Sequence, residues 1–169
     1  MTDWLSSAPP EFDVRGRSIA LIGMAATGLA AARVLVRRGA LVSAHDPKPA
    51  EALGETLAAL RSLGVNCEVG EAAYTGIEAA DLIVPSPGVP MGAPVLQAAV
   101  ARRQPVLAEI ELAGRIARAP IVAITGTNGK TTTVFLTAAM LSEAGREPRI
   151  CGNTLAGGFQ VPLIQAADE

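Results

Sequence analysis

Residues 121–132 read Ile-Val-Ala-Ile-Thr-Gly-Thr-Asn-Gly-Lys-Thr-Thr. An apolar run leads into a Gly-rich turn, and Lys130 and Thr131 stand where a helical pattern begins. In such a strand–loop–helix step, successive backbone N–H groups and the helix dipole converge on an anion. Gly126, Thr127, Asn128, Gly129, Lys130, Thr131 and Thr132 therefore form a candidate nucleotide-phosphate cradle. Lys130 supplies positive charge to the terminal phosphates, and the Thr131 hydroxyl is the candidate Mg²⁺ contact. The usual phosphate-loop pattern puts four residues between its two glycines. Only Thr127 and Asn128 lie between Gly126 and Gly129, so this loop is a shortened variant. A plain Gly turn before a helix would need neither the Lys nor the Thr.

Working outward, the same step occurs near the start of the chain. Ser18–Ile22 is an apolar run followed by Gly23-Met24-Ala25-Ala26-Thr27-Gly28. The dinucleotide fingerprint has Gly at the position of Ala25, where it lets a pyrophosphate approach the backbone. The substitution disfavours a conventional NAD site. Two interpretations stay open: a tight turn that needs Gly at both ends, or a Rossmann-like site for another nucleotide. In the second, the Thr27 hydroxyl and nearby backbone N–H groups meet phosphate at the helix start, and Asp46 stands where a ribose-binding acid belongs. Pro47 follows it. Ser86 and Gly88, in the stiff segment Pro85–Pro90, fall beyond the carboxyl end of another strand, where ligands of parallel α/β sheets bind.

Between the loops, short apolar runs alternate with helical patterns. Strands are expected at Ser18–Ile22, Leu41–His45, Val65–Val69, Asp81–Val84, Pro105–Leu107, Ile121–Ile124 and around Arg149–Cys151. Helices are expected at Gly28–Arg38, Ala50–Leu63, Val95–Arg103, Glu109–Arg118 and Thr131–Ala144. Gly39 and Gly64 are placed to close two of them. This order predicts an α/β fold: a Rossmann-like parallel-sheet domain followed by the start of a phosphate-loop domain. The boundary falls near Ala119-Pro120, giving units 1–118 and 119–169. One βαβ unit leaves apolar sheet edge uncovered. The second unit is therefore expected to be incomplete, covered by further chain or by association with another copy.

The bulk composition agrees. Hydrophobic residues make up 50% of the 169, charged residues 18%, and aromatic residues 3%. Such a chain can bury a core, and its aliphatic strands suit a sheet covered on both faces. The formal net charge of −2, with scattered basic residues, argues against nucleic-acid binding. Cys67 and Cys151 have no metal-ligand spacing and read as reduced thiols. Residues 1–13 lack the pattern of a signal peptide, and no apolar run reaches membrane-spanning length, so a cytoplasmic location without membrane insertion is expected.

Thr-Gly-Thr-Asn-Gly-Lys-Thr-Thr resembles the ATP loop of the Mur ligases and their folylpolyglutamate synthetase relatives. Gly23-x-Ala25-x-Thr27-Gly28-Leu29, Asp46-Pro47, Ser86-Pro87-Gly88-Val89-Pro90 and Glu109-Ile110-Glu111-Leu112 follow in the order and spacing of the D-glutamate-adding branch. The resemblance runs from about Ser18 to Leu163. It implies a ligase of peptidoglycan precursor synthesis that uses ATP and Mg²⁺ to join D-glutamate to UDP-N-acetylmuramoyl-L-alanine through an acyl phosphate. It places Ala26, Thr27, Asp46, Pro47 and Ser86 at the UDP end of that substrate. It puts Gly126–Thr132 on ATP, with Lys130 as the catalytic cation, and Asn153 of Gly152-Asn153 near the acyl end. An acidic magnesium ligand, a carbamylated lysine and a histidine of the family have no counterpart here, so the 169 residues alone are expected to bind the UDP substrate without ligating it. Alternatives are another Mur ligase, a non-catalytic UDP-sugar-binding module, a small-molecule kinase or simple NTPase, and an NAD-dependent oxidoreductase.

Overall fold

The computed structural model describes residues 12–153 and 160–168. Its centre is a four-stranded parallel sheet. The strands are β1 (Ser18–Ile22), β2 (Leu41–Asp46), β3 (Asn66–Val69) and β4 (Leu82–Pro85), in spatial order β3-β2-β1-β4. In register, Ile19 lies beside Val42 on one side and Leu82 on the other. Alternate residues of β1 feed two cores, as the two-residue period of a strand requires. Ile19 and Leu21 join Val42, Ala44, Leu82 and Val84 on one face. Ala20 and Ile22 join Ile83 on the other. All four of these β1 side chains are essentially inaccessible.

The first face is covered by α1 (Ala26–Arg37), α2 (Ala50–Ser62), α4 (Glu109–Ile116) and α6 (Leu163–Asp168). The second is covered by Ile77, from a short 3₁₀ turn, and by Val95, Leu96 and Ala99 of α3 (Pro94–Ala101). α1 ends as expected at Gly39, whose φ of +80° suits glycine; the Gly39 and Ala40 N–H groups return to the carbonyls of Val36 and Leu35. α2 is not one regular helix, because Gly54 (φ +47°, ψ −125°) breaks it.

Three expected strands differ. Pro105–Leu107 contributes a single parallel bridge, Ile83 to Val106. Ile121–Ile124 has no ladder partner among the described residues, and Ile121 and Val122 are about half exposed or more. A strand pattern states a propensity, but a strand exists only where a neighbour accepts its hydrogen bonds. Arg149–Cys151 precedes the sheet contact instead of forming it: β5 (Gly152–Asn153) pairs antiparallel with β6 (Gln160–Val161). The helix after the second loop, α5 (Lys130–Glu143), buries none of its residues. By contrast α6 returns to the first unit, inserting fully buried Ile164 into the core beside α1 and α4.

Candidate functional site

The sheet changes direction between β1 and β4. The connection from β1 runs through α1 on one face, and that from β4 through α3 on the other. Parallel α/β sheets bind ligands in the crevice at such a point, outside the carboxyl ends of the strands. The first loop and the Ser86 segment both lie there. Ser86 N–H donates to Ile22 O at 2.8 Å, and its hydroxyl donates to Gly23 O at 3.2 Å. Gly23 N–H donates to His45 O at 2.8 Å, tying the same loop to β2.

Asp46 is 7% exposed. Its Oδ2 accepts Met24 N–H at 2.9 Å, and its Oδ1 accepts Lys48 N–H at 3.0 Å. The acid that sequence reasoning placed on the ribose thus also braces the first loop. Each oxygen keeps a second lone pair with which a ligand hydroxyl or imide can bond. His45, missed as a site residue, fixes the neighbouring wall. Its Nδ1 lies 2.6 Å from Ala73 O and its Nε2 2.8 Å from Ser43 Oγ. Tyr74, next along that wall, has its phenol pKa raised by burial and then by the Asp46 charge. Neither residue carries a motif; an isolated His at a strand end was the only signal.

The glycine pattern of the first loop has a steric explanation. Gly23 has φ +97°. A Cβ on Gly28 would lie 2.2 Å from Gly23 O, so α1 can start this close to β1 only with glycine there. Ala25 needs no such freedom: at φ −89° and ψ −173° it is ordinary extended backbone at the N-cap of α1. It offers no side-chain oxygen to the first-turn N–H groups. Those donors, at Ala26 and Thr27, suit a phosphate. Pro47 and Gly88 are exposed at the rim, and Ser86 and Thr27 are half-buried.

The second loop is an exposed turn built on Gly126 (φ +148°) and Gly129 (φ +75°), the latter at the N-cap of α5. Lys130 Nζ donates to Gly126 O at 2.6 Å and Thr127 O at 3.3 Å, so the cation sits over the loop's own mouth. Thr133 Oγ1 donates to Gly129 O at 2.9 Å, leaving the Thr131 and Thr132 hydroxyls at the helix start. The N-cap has no side-chain hydrogen bond. Free first-turn donors, a local cation and hydroxyls fit a polyphosphate with Mg²⁺. Asn153 lies on β5; only its backbone is described.

Residues 17–108 match the family model described as the N-terminal domain of MurD-like Mur ligases. The chain belongs to the MurD-like Mur ligases. The chain is 41% identical over 156 residues to the UDP-N-acetylmuramoylalanine--D-glutamate ligase of Geobacter sp. (strain M21), covering 92% of this chain and 33% of that protein. The same-named ligase of Geotalea daltonii is 44% identical over 157 residues, covering 93% and 34%. The chain therefore spans about a third of the length of the curated relatives it matches. A UDP-N-acetylmuramate:L-alanyl-gamma-D-glutamyl-meso-diaminopimelate ligase from Neisseria meningitides superposes with a TM-score of 0.56 at 25% identity, covering 86% of this chain and 45% of that one. The Mur ligase fold thus extends past the matched domain. No helix among the described residues is long and apolar enough to cross a membrane.

Proposed function

We propose that this chain carries the nucleotide-substrate site and the ATP loop of a ligase adding D-glutamate to UDP-N-acetylmuramoyl-L-alanine in the cytoplasm. The observation that carries this reading is the convergence of Gly23, Asp46 and Ser86 at the switch between β1 and β4. There the first-turn donors of α1 and the Asp46 carboxylate can hold the two ends of a nucleoside diphosphate. Ala26 and Thr27 serve the pyrophosphate, Asp46 and Pro47 the uridine, and Ser86 and Gly88 the opposite rim.

Residues 126–132 would hold ATP, with Mg²⁺ at the Thr131 hydroxyl. ATP supplies the phosphoryl group that activates the alanyl carboxylate. Lys130 leaves its loop carbonyls for the phosphates and offsets charge on the group in transfer, while the loop amides orient it. Asn153 is assigned to the acyl end. Division into units 1–118 and 119–169 is supported by the contrast between the four-stranded sheet with its two cores and the exposed α5, while α6 returns across that boundary to pack Ile164 into the first core. The exposed Phe135, Leu136 and Met140 are the surface on which further chain, or a second copy, would pack.

Calorimetric titration with UDP-N-acetylmuramoyl-L-alanine, UDP and NADH tests the reading. Binding of the first two, with none of NADH, is expected. Thr27→Val should weaken both by about three- to tenfold, the worth of one hydrogen bond. Tight NADH binding, or no binding of either uridine nucleotide, would overturn it.

A further inference from the structure

Glu109 is a charged residue with no part in either phosphate loop, yet it is 7% exposed. It opens α4, and its Oε1 accepts the N–H of Ile164 at 3.1 Å in a buried contact. Burial pushes its pKa up, and that hydrogen bond opposes the shift. Ile164 lies in the first turn of α6, whose N–H groups need an acceptor from outside the helix. The preceding residue, Pro162, has no side-chain oxygen to offer. Glu109 thus caps α6 from another helix.

A charge effect and an ion-pair clamp show what this cap restrains. Cys151, directly before β5, has its thiol pKa raised by burial and then by the Glu109 charge. The Glu109 hydrogen bond at Ile164 falls just past β6, whose Val161 pairs with Gly152 of β5. At the far end of α6, Asp168 is clamped by Arg37 Nη2 at 2.5 Å and Arg38 Nε at 2.6 Å, both at the end of α1. The segment carrying Asn153 is consequently fastened to the first unit at its foot by Glu109 and beyond it by the two arginines.

We propose that Glu109 is a positioning residue of the ligation site, mooring the paired strands β5 and β6, and with them Asn153, to the UDP-binding unit. The inference rests on the reading of Asn153 as a contact to the acyl end of the substrate. Its working atom is an acceptor oxygen, so Glu109→Gln should preserve the function and Glu109→Ala should remove it.

The test is titration of this chain with UDP-N-acetylmuramoyl-L-alanine and with UDP alone, joined to hydrogen exchange of segments 150–153 and 160–168. Wild type should bind the muramoyl-alanine compound more tightly than UDP. Glu109→Ala should lose about tenfold of that advantage, the scale of one buried hydrogen bond, while UDP affinity stays unchanged. Both segments should exchange faster in the variant, and Glu109→Gln should restore wild-type values. If Glu109→Ala does not fold, Glu109→Asp, which shortens the reach by one methylene, should show the same selective loss. An unchanged ratio, an equal loss of UDP affinity, or a Gln variant that behaves like Ala would each overturn the proposal. Failure of wild type to bind either nucleotide would instead refute the ligase reading; exchange unaffected by Glu109→Ala would then refute the mooring on its own.

Discussion

Replacing Gly28 by alanine tests the first loop most directly. The added Cβ would sit 2.2 Å from Gly23 O, where contacts under 3.0 Å are essentially never found. The helix start and the loop must therefore separate by most of an ångström. The loop has little room to yield. Gly23 O accepts the Ser86 hydroxyl, Gly23 N–H is bound to His45 O, and Met24 N–H is bound to Asp46. Overpacking of this kind costs about 1–3 kcal/mol. Disturbing one of the three hydrogen bonds adds about 1 kcal/mol. A total of about 2–4 kcal/mol corresponds to a fall in Tm of roughly 5–15 °C for a chain of this size. Melting followed by circular dichroism measures that fall. Titration with UDP-N-acetylmuramoyl-L-alanine should show affinity reduced at least about tenfold, since the same displacement moves the first-turn donors. A Gly28→Ala protein with wild-type Tm and wild-type affinity would refute both the steric account and the placement of the nucleotide.

Gly114→Ala is the matching control: it lies inside α4 with no positive φ and nothing within 4 Å of its Cβ position. It should raise stability by about 0.4–1 kcal/mol in denaturant melts. Ile164→Ala removes a fully buried side chain from the seam with α1 and α4. It should cost about 2–4 kcal/mol, or less if α6 simply detaches, which hydrogen exchange at 160–168 would reveal. Asp168 should make that seam acid-sensitive. Burial tends to raise its pKa, but hydrogen bonds and charge from Arg38 and Arg37 outweigh this and hold it below the ordinary 3.8. A lowered carboxyl stabilises the fold above its unfolded pKa and is lost as pH falls through the folded one. Amide protection at 163–168 should therefore drop in acid below about pH 3.8, and Asp168→Asn should lack that drop. Lys130→Ala should abolish ATP binding without lowering Tm, because Lys130 is exposed and, among the described residues, its ammonium bonds to carbonyls of its own loop.

The first unit was largely legible because its signals are local. Ser18–Ile22 and Leu82–Val84 are apolar runs bounded by turns, and Gly39 and Gly64 close their helices. What escaped depends on partners distant in sequence. Ile121–Ile124 has the composition of a strand but no neighbour among the described residues. Leu163–Asp168 is too short for a helical period to stand out; only Pro162 and the apolar Leu163, Ile164 and Ala167 hinted at it. Its stability comes from burying Ile164 and from groups more than fifty residues away. At the site, the positions of Thr27, Asp46 and Ser86 could be anticipated from strand ends. The bracing role of the Asp46 carboxylate could not, since it depends on which backbone amides the loop turns toward it. His45 and Glu109 were invisible as organisers for the same reason.

Ala25 bears on how such sites evolve and are found. Of the three fingerprint positions, only those of Gly23 and Gly28 are constrained by this backbone, one by its dihedral and the other by a carbonyl that an added Cβ would approach to 2.2 Å. The middle position has ordinary extended geometry and can drift to any small residue without cost to the turn. A pattern search that demands all three glycines would pass over this protein. One that keeps the outer pair and asks for an acid at the end of the next strand would retrieve it. The middle residue then becomes a place where descendants can tune ligand choice without rebuilding the loop.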